Sequence, residues 1–327
     1  MLRKSLVCFL FMAGLLMSGS VQGALAGSKD VTILGGGAGG LWAIIAEGVG
    51  ESMRRGFPDY RITTEPGKDG PNQVMTNRGD VQFALASDVL TSMALEGEGP
   101  YRGRKMDKLR LVAVVNPTSA VQIYVDARTG IRSLADIKEK KYPLRINVNR
   151  AGTLIDLMAE KILGEYGVTY KDIESWGGLI HKGPAPEAVD LWDAGQMDAI
   201  IEVSQFPLSR FYDLGMKHEL VMLPIDPDKA EAVNRDMGTV NLTIPGGSYA
   251  FQKEDVPTVT AQLVLVTSAD QPDEVVTAML SAMTDNIDYL RSVHANLKGL
   301  SVESMAGHTN IPMHPAAEKF YREHSSQ

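Results

Sequence analysis

Val31-Thr32-Ile33-Leu34-Gly35-Gly36-Gly37-Ala38-Gly39-Gly40-Leu41-Trp42 joins a β-type run, a turn of six small residues and the opening of an amphipathic helical pattern. This strand, bare turn and helix start is the unit from which open α/β sheets are built. Taken literally, Gly35, Gly37 and Gly40 spell G-x-G-x-x-G, and Glu65 ends the next β-type run, as at a dinucleotide site. Six small residues in a row match many glycine patterns, however, and Glu65 runs straight into Pro66-Gly67, a plain strand ending. What survives is more general: bare backbone N–H groups at a helix N-terminus make an anion site, for phosphate or for carboxylate. An exported nucleotide-dependent oxidoreductase using Gly35–Gly40 stays open as the alternative.

Outward from this stretch, β-type runs alternate with amphipathic ones through most of the chain. Strands are expected at 31–34, 60–64, 81–85, 109–115, 121–125, 144–148, 197–202, 220–223, 240–244 and 262–266. Helices are expected near 40–55, 87–95, 153–166, 186–194, 206–214 and 272–291. In the last of these, Pro272 suits a first helical position, Asp273 and Glu274 favour the N-terminal dipole, and Val275, Val276, Met279, Leu280 and Met283 keep a stripe. So many strands in one twisted sheet tend to split it, and no low-complexity linker is present. The expectation is an α/β fold of two lobes joined by crossing strands at Val121–Val125 and Gln262–Val266, with the second lobe inserted in the first. The divisions are 27–123, 124–255 and a return at 256–327.

Three more turns repeat the pattern of strand end, polar turn and helix start. Ser87-Asp88 follows 81–85, Asn149-Arg150-Ala151-Gly152-Thr153 follows 144–148, and Ser204-Gln205-Phe206-Pro207 follows 197–202. Thr153 with Asp156 forms a capping-box-like pair. Arg150 is either a solvated charge beside a capped helix or a guanidinium fork placed to grip a carboxylate. Ser87 and Ser204 serve equally well as simple N-caps. Ligands of open α/β sheets nevertheless sit at the carboxyl ends of strands, so four such turns, two per lobe, are expected to face one cleft.

Composition narrows the function. Arg3 and Lys4 precede an apolar run, Leu6–Met17, and the small-residue stretch Ala24-Leu25-Ala26, the pattern of a secretory signal peptide over 1–26 cleaved after Ala26. The run is shorter than the roughly 20 residues a spanning helix needs. Cleavage removes two of the 32 basic residues, leaving 30 against 40 acidic and a net charge of −10. It also removes Cys8, the only cysteine, so no disulfide is expected. An acidic chain without a Lys/Arg cluster is a poor match for nucleic acid. The six histidines, at 181, 218, 294, 308, 314 and 324, lack metal-ligand spacing, and no G-x-S-x-G occurs. His308 and His314 are expected to be packing or surface residues. Nothing nominates an enzyme, a metal or a cofactor.

In combination, seven stretches resemble the TAXI family of TRAP-transporter solute receptors. They are Gly35–Gly40 with the aromatic Trp42, Gly79–Ala84 leading to Ser87-Asp88, Gly130–Asp136, Gly195–Ala199, Ile244–Tyr249, Glu254–Val259 and Ile311–Ala317. The resemblance implies a type II periplasmic-binding-protein fold, two α/β lobes with a hinge. It implies periplasmic delivery of a small carboxylate, glutamate or a related acid, to a TRAP-type membrane permease. Carried over by position, Gly37, Ala38, Gly39, Ser87, Arg150, Ala151, Gly152, Thr153, Ser204, Gln205 and Phe206 line the cleft. Trp42 and Phe206 cover the ligand's apolar part, while N–H groups and Arg150 hold its carboxylate. The chain departs from the family at Arg150, where smaller residues are commoner, at Phe206-Pro207-Leu208 in place of Val-Pro-Asn, and at Trp42 in place of tyrosine.

Overall fold

The alternation resolves into strands β1 (Lys29–Leu34), β2 (Tyr60–Glu65), β3 (Phe83–Ser87), β4 (Leu109–Asp126), β5 (Arg145–Asn147), β6 (Leu179–His181), β7 (Ala199–Ser204), β8 (Leu220–Met222), β9 (Val240–Ile244) and β10 (Val256–Ser268). They form one sheet in the order β2-β1-β3-β10-β4-β7-β5-β6, with β8 beside β4 and β9 beside β10. The computed structural model describes residues 29–307 and 309–324. The expected signal peptide, its cleavage site and His308 lie outside the described residues.

The helices of the first half are α1 (Leu41–Gly56), α2 (Asp69–Arg78), α3 (Asp88–Glu96), α4 (Leu134–Glu139), α5 (Leu154–Glu165) and α6 (Tyr170–Ser175). Those of the second half are α7 (Ala185–Asp193), α8 (Ser209–Lys217), α9 (Pro227–Met237), α10 (Asp273–Asp285), α11 (Ile287–Val293), α12 (Val302–Met305) and α13 (Pro315–His324). Among the described residues no helix is long and apolar enough to cross a membrane.

Pairing explains how one sheet carries two lobes. β1 runs parallel to β2 and β3, and β5 parallel to β6 and β7. Between these parallel sets lie the long antiparallel strands β4 and β10. The first half of β4 lies against the end of β10 (Leu109 opposite Ser268), and its second half pairs with β7 (Val125 opposite Ala199). One core packs Ile33, Val49, Phe83, Val112, Leu265 and Met279 on the first side. A second packs Ile123, Ile146, Met158, Ile201 and Val233 on the other, and a third fills that lobe's opposite face with Tyr124, Trp192, Phe211 and Tyr249.

Two expectations need correcting. Runs 109–115 and 121–125 are one 18-residue strand, and its register against β10 shifts between them, where Ala261 and Leu263 of β10 face Ser119 and Asn116 of β4. The expected helix 272–291 breaks in two at Asn286, whose side-chain amide caps the carbonyl of Ala282 at 2.9 Å.

Candidate functional site

Three helices begin at one cleft. The turns that open α1 and α2 carry glycines where their backbones approach closely. A Cβ on Gly36 would stand 2.7 Å from Trp42 Cβ, and one on Gly67 would meet Asn72 Oδ1 and stand 2.7 Å from the Gly35 carbonyl. The loops before α1 and α2 are stitched together, Gly35 N–H donating to Glu65 O at 2.8 Å and Gly67 N–H to Gly36 O at 3.1 Å. Fully buried Asn72 locks this corner. Its amide donates to Gly35 O (2.9 Å) and Leu85 O (2.7 Å), and its oxygen accepts from Lys68 N–H (3.1 Å).

The start of α2 is held from below. Asp69 accepts from the Ser87 N–H (2.9 Å), the Ser87 hydroxyl (2.6 Å) and Gln73 Nε2 (2.7 Å). Burial pushes the Asp69 carboxyl above its ordinary range, and these donors work against that rise. Ser87 also caps α3 by accepting from Leu90 N–H. Next to it, buried Asp88 accepts from the Gln262 N–H of β10 (2.9 Å), and burial raises its carboxyl to about 7.

Across the cleft, Thr153 caps α5 with its side chain accepting from Asp156 N–H. Gly152 takes the left-handed conformation (φ 75°), and its N–H donates to Asp156 Oδ2 at 2.9 Å. Lys182 Nζ pairs with Asp156 at 3.1 Å, so the turn's anchor is neutralised.

The cleft between these walls encloses about 570 Å³, within the roughly 300–1,000 Å³ usual for small-molecule sites. The first two residues of each helix, Leu41 and Trp42 of α1, Asp69 and Gly70 of α2, Leu154 and Ile155 of α5, all line it. The N–H groups at those positions have no partner inside their own helices and carry the positive end of the dipole. The cleft is therefore an electropositive backbone cradle with walls on both sides of the crossing strands. Among the described residues no group of three His, Cys, Asp or Glu could hold a metal.

Of the residues expected from sequence, Gly37, Trp42, Gly152 and Thr153 line the cleft. Arg150 and Ala151 are exposed in the turn between cleft-lining Asn149 and Gly152, with Arg150 N–H bonded to Asn149 Oδ1 at 2.7 Å. Ser87 is buried behind Asp69 and meets the cleft only through it. Gly39 faces a separate depression with Ile44, Tyr289 and Val293, and neighbouring Ala38 is exposed. Ser204, Gln205 and Phe206 follow cleft-lining Val203; Ser204 and Phe206 turn into their own lobe, and Gln205 is half-buried between them. Gln122 Nε2 donates to the Ser204 hydroxyl at 3.1 Å, and Phe206 packs on the core of Tyr124 and Tyr249. Lys68, Asp69, Leu90, Leu154 and Ile155 line the cleft without having been expected there. His314 is buried and caps α13, accepting from Ala316 N–H at 3.2 Å.

The same architecture occurs in solved structures of low sequence identity. A TctC solute binding protein from Polaromonas is 15% identical over 91% of this chain and 96% of its own, with a TM-score of 0.54. PhnD1 from Prochlorococcus marinus, in complex with methylphosphonate, is 10% identical over 91% of this chain and 99% of its own, with a TM-score of 0.54. MatC from Rhodopseudomonas palustris, with bound malate, is 12% identical over 82% of this chain and 88% of its own, with a TM-score of 0.50. Two α/β lobes, long crossing strands and a cleft where helices begin define a periplasmic-binding-protein fold. Within that fold class, the chain belongs to the NMT1-like family, matched over residues 33–324.

Proposed function

We propose that this chain is an exported, non-enzymatic receptor that closes around a small organic acid and hands it to a membrane permease of the TRAP type. One observation carries the reading: the N-termini of α1 and α2 on one wall and of α5 on the other converge on a single cleft. A carboxylate placed there accepts N–H groups from both lobes at once, so it favours the closed form over the open one, which is how a ligand shifts a hinged equilibrium. The matched structures with bound malate and methylphosphonate, both small anions, are consistent with this chemistry.

In this reading the lobes are 27–123 with 256–327, and 124–255, the hinge is the pair β4 and β10, and no covalent step is asked of the protein. Arg150 swings from its exposed position onto the carboxylate as the lobes close. The test is calorimetric titration and thermal melting against organic acids, amino acids, NAD and FAD. A ligand at 100 times its dissociation constant adds about 2.7 kcal/mol of stability. Stabilisation by carboxylates and none by dinucleotides supports the receptor; saturable binding of NAD or FAD with no response to acids establishes the oxidoreductase alternative instead.

A further inference from the structure

The cleft's backbone and its one cation point to different parts of a ligand. Lys68 and Asp69 are the only charged side chains that line the cleft among the described residues. Asp69 turns its carboxyl inward, where Ser87 and Gln73 donate to it, and so does not neutralise its neighbour. Lys68 is exposed; its backbone N–H donates to Asn72 Oδ1 at 3.1 Å, while its ammonium has no ion pair or hydrogen bond among the described residues. Across the cleft, Asn149 Oδ1 accepts from Arg150 N–H at 2.7 Å, which leaves the amide nitrogen of this cleft-lining residue without a partner among the described residues. A carboxylate offers about four lone-pair sites. The N–H groups at the starts of α1, α2 and α5, with Arg150 beside the last, supply enough donors to fill them, so the first acid group is satisfied without Lys68. The flexible stem of Lys68 carries its ammonium away from the N–H groups of α2. Closure of the lobes takes that ammonium out of water, where it is costly unless it gains an anionic partner. Resting on the carboxylate-receptor reading above, we infer that Lys68 is the specificity-determining residue of the cleft: its ammonium pairs with a second acid group of the ligand, helped by the Asn149 amide, and so selects a diacid over a monoacid of equal length.

Calorimetric titration of the unmodified chain, Lys68→Met and Lys68→Arg with succinate, glutarate and adipate, beside butyrate, pentanoate and hexanoate, tests this. The unmodified chain should bind its best diacid roughly tenfold or more tighter than the monoacid of equal length, the worth of one charge-assisted hydrogen bond. Lys68→Met keeps the length of the side chain and removes its charge, so it should erase that margin, while Lys68→Arg should retain most of it. Because Lys68 is exposed and its bond to Asn72 is made by the backbone, the melting curve of the ligand-free variants should match the parent's. An unaltered margin in Lys68→Met, a loss shared equally by monoacids and diacids, or tighter binding of the monoacids by the unmodified chain overturns the inference and leaves carboxylate capture standing. Failure of every acid to bind overturns the receptor reading itself.

Discussion

Asn72→Ala removes the residue that ties two loops and strand β3 of the first lobe together. Its amide and oxygen make contacts of 2.7, 2.9 and 3.1 Å to Leu85 O, Gly35 O and Lys68 N–H, all from a fully buried position. A net value near 1 kcal/mol for each bond gives about 3 kcal/mol of stability lost, and stranded backbone groups raise rather than lower that figure. In a chain of this size the loss corresponds to a fall in Tm of roughly 5–10 °C. Asn72→Asp keeps the acceptor for Lys68 but turns a negative charge towards two carbonyls, so it should destabilise at least as much. Because Gly35 and Lys68 flank the starts of α1 and α2, Asn72→Ala should also weaken ligand binding after any loss of folded fraction is corrected for. Differential scanning calorimetry of the ligand-free chain decides the first part. A Tm within 2 °C of the parent would refute the idea that this side chain holds the cleft wall.

Arg150→Ala should weaken carboxylate binding by about tenfold to a hundredfold while leaving the ligand-free Tm unchanged, with Arg150→Lys recovering only part of the loss; an affinity within twofold of the parent, measured by calorimetry, leaves the backbone N–H groups as sole holders of the anion. Gly67→Ala forces a Cβ against Asn72 and the Gly35 carbonyl, so the ligand-free melting temperature should fall, a change that an unaltered melting curve would exclude. Burial raises both Asp88 and Glu202 to about 7 from ordinary values of 3.8 and 4.5, so the folded state holds more protons than the unfolded state between about pH 4 and 7. From these groups stability falls as pH rises through that window; buried His314, its pKa lowered, contributes in the opposite sense below pH 6.5. Asp88→Asn should flatten the decline in urea-unfolding free energy between pH 5.5 and 8, and an unchanged slope would show that Asp88 does not contribute to it.

Two of the three helix starts at the cleft are legible in the sequence because their signals are local: runs of apolar residues ending in Gly35–Gly40 and in Asn149–Thr153. The third, the start of α2, is not. That helix buries Asn72, Gln73 and Thr76, so its inward face is polar and no hydrophobic period betrays it, while Asp69-Gly70-Pro71-Asn72 has the composition of a turn. Ser87 was found at the right strand end but with the wrong consequence, since its hydroxyl points at Asp69 and not into the open cleft. At the 204–206 turn the Ser204 hydroxyl is held by Gln122, 82 residues earlier in the chain, and a pairing at that separation leaves no trace in local pattern. The continuity of β4 depends likewise on register shifts against β10, more than a hundred residues away.

Small-angle X-ray scattering of the chain with and without a saturating carboxylate tests the central claim most directly, since capture by both lobes requires them to approach. The account predicts a smaller radius of gyration in the bound form, and a loss of that compaction in step with affinity when Arg150 is replaced by alanine. A carboxylate that binds at saturation and leaves the scattering curve unchanged would contradict it.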